Sequence, residues 1–141
     1  MSRERLFLDT AFIQALLNPR DDYHQQAKQL FPRVRAASEV WITEAILVEV
    51  GNALSVLNRN GAVQFIQQCY RTDNIKVVNV DTTLLMQAIA LYQARTDKSW
   101  GLTDCISFIV MQQQSLIDAV TSDRHFLQAG FRILMTKEDG V

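Results

Sequence analysis

Cysteine is scarce in this chain. Cys69 and Cys105 are the only two, and they lie too far apart in sequence to form a metal-type spacing. Both read as reduced, buried, small apolar residues. Two prolines and five glycines leave few places for a linker, so the 141 residues are expected to form a single domain spanning 1–141. No apolar run approaches the roughly 18 residues needed to cross a bilayer. The N-terminus, Met-Ser-Arg-Glu-Arg, leads straight into a strand-like segment with no extended apolar stretch, so it does not read as a signal peptide. A cytoplasmic location, with no membrane partner, is the expectation. A basic excess is also missing: the formal net charge is −1. That argues against a protein that grips nucleic acid through a broad positive surface. It does not exclude a nuclease whose bound cation reverses the local sign at an acidic site. HExxH, GxSxG and GxxxxGK are absent, which removes the zinc-protease, serine-hydrolase and P-loop readings.

What is present is ordinary globular composition, 48% hydrophobic and 21% charged. Apolar runs of strand length alternate with helical periodicity. Arg5 to Leu8 reads as a strand and Thr10 to Leu17 as a helix stopped by Asn18-Pro19. Asp21-Asp22 open a second helix that ends near Pro32. Val40 to Thr43 is the second strand, and Glu44 to Asn58 a long helix closed by Asn60-Gly61. A further helix runs to about Arg71, followed by a third strand, Ile75 to Val80. Asp81 caps a helix from Thr82 to Arg95. Thr103 or Asp104 caps the next, to about Gln114. Ile117 to Thr121 is a strand, Arg124 to Ala129 a short helix and Phe131 to Met135 a last strand. Strands separated by helices predict an α/β fold, a parallel sheet covered on both faces. Ligands of such sheets gather at the carboxyl ends of the strands.

Four acids belong at that edge. Asp9 ends the first strand, Asp123 follows the fourth, and Asp104 opens a helix. Glu49 sits inside the helix after the second strand, and helical side chains lean back toward the N-terminus. Glu49 shares a stripe with Ala45 and Ala53, beside Asn52, whereas Ile46, Val50, Leu54 and Leu57 form the apolar stripe. Glu44 lies about 140° away around the helix and faces elsewhere. Clustered carboxylates repel one another, and a hard divalent cation, Mg²⁺ or Mn²⁺, removes the conflict. Such ions activate water and stabilise the leaving oxygen of a phosphodiester. Taken singly, an aspartate before a helix is an ordinary cap; the metal reading rests on all four converging.

Three segments, LFLDTAFIQALLN, ITEAILVEVGNAL and WGLTDCISFIVMQQQSLIDAVTSDRHFLQAGF, resemble the PIN-domain family. Within it they are similar to the small toxin nucleases of bacterial VapBC-type toxin–antitoxin pairs. The resemblance covers nearly the whole chain in order. It implies a three-layer sandwich around a parallel sheet of order 3-2-1-4-5. It carries over Asp9, Glu49, Asp104 and Asp123 as catalytic, metal-binding acids, with Thr10 and Thr121 at supporting polar positions. It implies Mg²⁺- or Mn²⁺-dependent endoribonuclease activity on single-stranded regions of RNA, a small antitoxin partner and a homodimer. Asp97 is a possible accessory, and Trp100-Gly101 is less typical of the family.

Arg124 is a candidate for substrate contact, because a guanidinium matches phosphate geometry. His125 stands next to it without an assigned role, and His24 reads as structural or exposed. An apolar surplus that includes Phe12, Leu16, Phe31 and Trp41 points to a surface left for a second copy. Two other classes stay open. Asp9, Asp81, Thr121-Ser122 and Lys137 loosely match a phospho-acceptor receiver domain, although its acidic pair is missing. A PIN fold acting only as a binding module is the other.

Overall fold

The computed structural model describes residues 2–137. Five parallel strands form one sheet of order β3-β2-β1-β4-β5. They are β1 Arg5–Leu8, β2 Glu39–Thr43, β3 Ile75–Val78, β4 Asp118–Val120 and β5 Arg132–Ile133. Among the described residues seven helices cover it: α1 Thr10–Leu17, α2 His24–Ala36, α3 Glu44–Ala53, α4 Arg59–Arg71, α5 Thr82–Ala94, α6 Leu102–Gln113 and α7 Arg124–Gln128. The three-layer sandwich and its strand order are those expected. The order also removes the receiver reading, since receiver-type sheets run 2-1-3-4-5.

The central strand β1 is buried on both faces. Leu6 and Leu8 alternate with Phe7 in direction, and all three are essentially inaccessible to water. On the Phe7 side an aromatic chain links Phe7, Phe126, Phe108 and Trp100, with ring centroids 6.2, 5.0 and 4.9 Å apart. It holds α6 and α7 against the sheet. On the other side α1, α2 and α4 leave an apolar groove of about 530 Å³, lined by Leu8, Phe12, Leu16, Phe31 and Phe65 among others. Phe12, expected as a surface candidate, is in fact buried.

Several element boundaries move. Helix α2 runs through Pro32 to Ala36. Pro32 lies on the exposed side of the helix, so water can serve the carbonyl that its missing N–H leaves free. The helix begins at His24 rather than at Asp21. Asp21 closes a turn ahead of it by accepting from the Tyr23 N–H at 2.9 Å. The long helix after β2 ends at Ala53, not Asn58. Asn58 instead starts α4, its side-chain oxygen accepting from the Gly61 N–H at 3.0 Å. Gly61 therefore sits in a first turn, not at a helix end, and Leu57, expected on the apolar stripe, is exposed. Asp81 caps α5 as expected, accepting from the Leu84 N–H at 2.8 Å. The cap of α6 is Gly101, two residues before the expected Thr103 and three before Asp104. The regular part of β5 stops at Ile133, although Leu134 and Met135 still donate to Ala119 and Thr121 carbonyls at 3.0 and 3.1 Å. No helix among the described residues is long and apolar enough to cross a membrane.

Candidate metal centre

A cleft of about 680 Å³ opens at the carboxyl edge of β1 and β4, where the parallel-sheet rule directs attention. Asp9, Glu49, Asp104 and Asp123 all line it. They arrive from four places: the end of β1, the second turn of α3, the first turn of α6 and the turn after β4.

Asp9 stands at the N-cap position of α1, yet its side chain makes no capping bond. It points instead toward β4, where the buried Thr121 hydroxyl donates to its Oδ2 at 2.8 Å. Burial pushes the Asp9 carboxyl up to about 7, against the lowering effect of the Thr121 bond. The neighbouring charges of Asp104 and Asp123 push the same way as burial. An anion this costly, facing a cleft with other carboxylates, would be stabilised by a cation.

Thr121 also accepts from the Asp123 N–H at 3.0 Å, so one hydroxyl orients two of the acids. Asp123 accepts from the His125 N–H at 2.9 Å and thereby caps α7. Asp104 accepts from the Gly101 N–H at 3.1 Å, reaching back across the first turn of α6. Burial raises its carboxyl above the usual range, with the His125 hydrogen bond opposing. Glu49 accepts from the Thr10 hydroxyl at 2.5 Å, which ties α3 to α1. Thr10 thus holds Glu49, and Thr121 holds both Asp9 and Asp123. Gln14 and Asn52 place amides on the cleft wall.

Glu44 is occupied elsewhere, accepting from the Tyr70 hydroxyl and the Asn79 amide, both at 2.6 Å. Asp97 is not brought to the cleft. It faces solvent and accepts from Arg95 at 2.9 and 3.0 Å. Arg124 is exposed and does not line the cleft, while the next residue, His125, does. The His125 Nδ1 lies 2.9 Å from Asp104 Oδ2 and 3.5 Å from Asp123 Oδ1. The only sequence signal for it was its place two residues after Asp123. Its partner Asp104 lies 21 residues away. Trp100, the atypical residue, is buried and donates to the Gln128 side chain at 3.0 Å, which braces α7 behind the cleft. His24 is structural, its Nδ1 2.7 Å from the Ala15 carbonyl.

The donor set fits a hard divalent ion: carboxylate oxygens, one imidazole and no thiolate. Both cysteines are buried, and burial pushes the Cys69 thiol up to about 12.

The family model described as PIN domain matches residues 6–132. Among solved structures, the chain is similar to VapC20 of Mycobacterium tuberculosis, a toxin that cleaves the sarcin–ricin loop. The TM-score is 0.83 at 25% identity, covering 92% of this chain and 98% of that one. A toxin–antitoxin complex from Klebsiella pneumoniae matches with a TM-score of 0.64 at 18% identity, covering 96% and 99%. VapBC2 of Rickettsia felis, bound to a fragment of its promoter DNA, matches at 0.62 and 12%, covering 93% and 98%. These last two bear on the fold. No curated protein sequence matches the chain significantly.

Proposed function

Since the chain belongs to the PIN-domain family, we propose that it is a metal-dependent endoribonuclease of the cytoplasm, the toxin of a toxin–antitoxin pair. Its catalytic, metal-binding residues are Asp9, Glu49, Asp104 and Asp123. The observation that carries this reading is the convergence of the four acids on one cleft, with Asp9 buried and raised to about 7.

Asp9, Glu49, Asp104 and Asp123 would hold the ion, Mg²⁺ or Mn²⁺, all four lining the one cleft. When bound, a divalent cation supplies a nucleophilic water at neutral pH and charge stabilisation for the phosphodiester. The chain's own side chains do the positioning. Thr121 fixes Asp9 and Asp123 relative to each other across the β1–β4 pair. Thr10 fixes Glu49. The Gln14 and Asn52 amides can donate to phosphate or ribose oxygens of an RNA strand lying in the cleft.

The substrate is single-stranded RNA or the unpaired part of a folded RNA. Ribosomal RNA carrying the sarcin–ricin loop is the first target to try, given what the Mycobacterium tuberculosis neighbour cleaves. A small antitoxin would place an Arg or Lys over the acidic cleft, where it competes with the cation. The apolar groove between α1, α2 and α4 offers the same partner a hydrophobic seat. A homodimer is part of the proposal. Met86, Ile89 and Tyr92 recur at three-residue spacing on the outer face of α5 and are exposed.

Purified protein should cut RNA with Mg²⁺ or Mn²⁺ and stop in EDTA. Asp9→Asn and Asp123→Asn should each lower the rate by orders of magnitude. Full activity in EDTA, or in both variants, overturns the proposal.

A further inference from the structure

The four-acid reading leaves one polar residue of the cleft, His125, without a role. His125 Nδ1 stands 2.9 and 3.5 Å from carboxylate oxygens of Asp104 and Asp123. Donor atoms of Asp104, Asp123 and His125 all lie within 4.8 Å of one another. On a six-coordinate hard ion with donors at roughly 2.1 Å, adjacent donors stand about 3 Å apart. Nδ1 is therefore separated from both acids much as one ligand is from its neighbours.

We propose that His125 is a nitrogen ligand of the divalent ion, so that the centre is a mixed carboxylate–imidazole site. This rests on the metal-dependent nuclease reading and adds to it a donor that the family resemblance does not supply.

The backbone prepares the residue for that role. Asp123 caps α7 through the His125 N–H, so the acid that would bind the ion also sets the main chain of the next ligand. The other ring nitrogen, Nε2, lies 3.3 Å from the Ser99 hydroxyl. Carboxylates only accept, so in the ion-free state the Nδ1 that meets Asp104 carries a hydrogen. As a ligand, Nδ1 presents its lone pair and Nε2–H donates to Ser99. A hydroxyl can both donate and accept, so Ser99 can serve Nε2 in either state. Metal-bound histidines commonly donate their second N–H to such a partner. The competing role is purely positional: His125 would steer Asp104 by a hydrogen bond and never touch the ion. That role puts no nitrogen in the coordination shell.

Pulsed electron paramagnetic resonance on the Mn²⁺-loaded protein separates the two. The expected result is echo modulation from a directly bound ¹⁴N nucleus. It should be replaced by the ¹⁵N pattern when the protein is made with ¹⁵N-histidine, and absent in His125→Ala. The labelling arm needs no variant, and the only other histidine, His24, is held on the Ala15 carbonyl away from the cleft. In thermal-shift titrations His125→Ala should lose roughly tenfold or more in Mn²⁺ affinity. It should lose less for Mg²⁺, because imidazole favours the softer ion. Bound Mn²⁺ with no nitrogen modulation overturns the His125 ligand and leaves the acidic site standing. Failure of the protein to bind Mn²⁺ overturns both.

Discussion

With its carboxyl pushed up to about 7, Asp9 holds a proton more tightly in the folded chain than in the unfolded one, where an aspartate titrates near ~3.9. The sign follows from linkage: the folded state is favoured by this residue below about pH 4 and loses that advantage as pH rises toward 7. Asp104, raised by burial, acts in the same direction. In EDTA, Asp9→Asn should therefore melt above wild type near ~pH 8, and the gap should close toward ~pH 4. Metal binding requires the ionised form, so the Mn²⁺-induced rise in melting temperature should shrink as pH falls below about 7. A gap independent of pH would contradict this account. Asp104→Asn tests the convergence itself. Relief of repulsion should leave metal-free stability level or higher, while the Mn²⁺ shift shrinks and RNA cleavage falls by orders of magnitude. If Asp104 mattered only to the first turn of α6, Asn would serve nearly as well and all three readouts would barely move. Asp9, Asp104 and Asp123 were legible because strand ends and helix starts mark them, and Glu49 because its stripe of the helix carries small residues. His125 was not, because a ring nitrogen's partner across 21 residues leaves no trace in local pattern.

Among the elements, the break between α3 and α4 shows why boundaries were harder to read than existence. Asn60-Gly61 has the composition of a helix end, and the chain uses it as a helix start. Asn58 turns its amide both ways, accepting from the Gly61 N–H and donating to the Leu17 carbonyl at 3.3 Å. The Leu17 contact lies 41 residues away, so only the folded chain reveals which asparagine is the cap. A Cβ at Gly61 would lie 2.5 to 2.8 Å from the Asn58 side chain. Helix propensity alone says that Gly61→Ala should stabilise by up to ~1 kcal/mol. Displacing the cap costs about 0.5–2 kcal/mol. The single substitution should thus be neutral or destabilising, whereas in an Asn58→Ala background it should stabilise by about 0.5–1 kcal/mol. Additive effects in urea melts of the four proteins would show that the cap and the glycine are independent. Pro32 teaches the same lesson in reverse. A residue that ends most helices is tolerated in α2 because it lies on the solvent side.

For the whole molecule, alternation of strands and helices was enough to foresee a parallel sheet with its chemistry at one edge. It was not enough to order the strands. The sequence 3-2-1-4-5 came from resemblance, because periodicity says which residues face inward but not which strand lies beside which. Burial of the apolar surplus was also only half legible. Phe12 went into the core, while α5 kept Met86 and Tyr92 more than half exposed, at 54% and 52%. If that face joins two copies, light scattering should give a dimer for wild type. Met86→Glu combined with Tyr92→Glu should give a monomer with unchanged circular dichroism. A wild-type monomer at high concentration would remove the dimer.

The bond from Thr121 to Asp9 closes a loop of 112 residues. Contacts so distant in sequence form late, since the entropy of closing the loop must be met before they contribute. Helices such as α5 and α6 can appear early in refolding, but the paired acids cannot exist until β4 has docked beside β1. Cation affinity should consequently emerge only in the slowest refolding phase, together with near-ultraviolet circular dichroism, and never in a collapsed intermediate. An incompletely folded chain is in this sense disarmed: the ability to cut RNA and global folding arrive in one kinetic step.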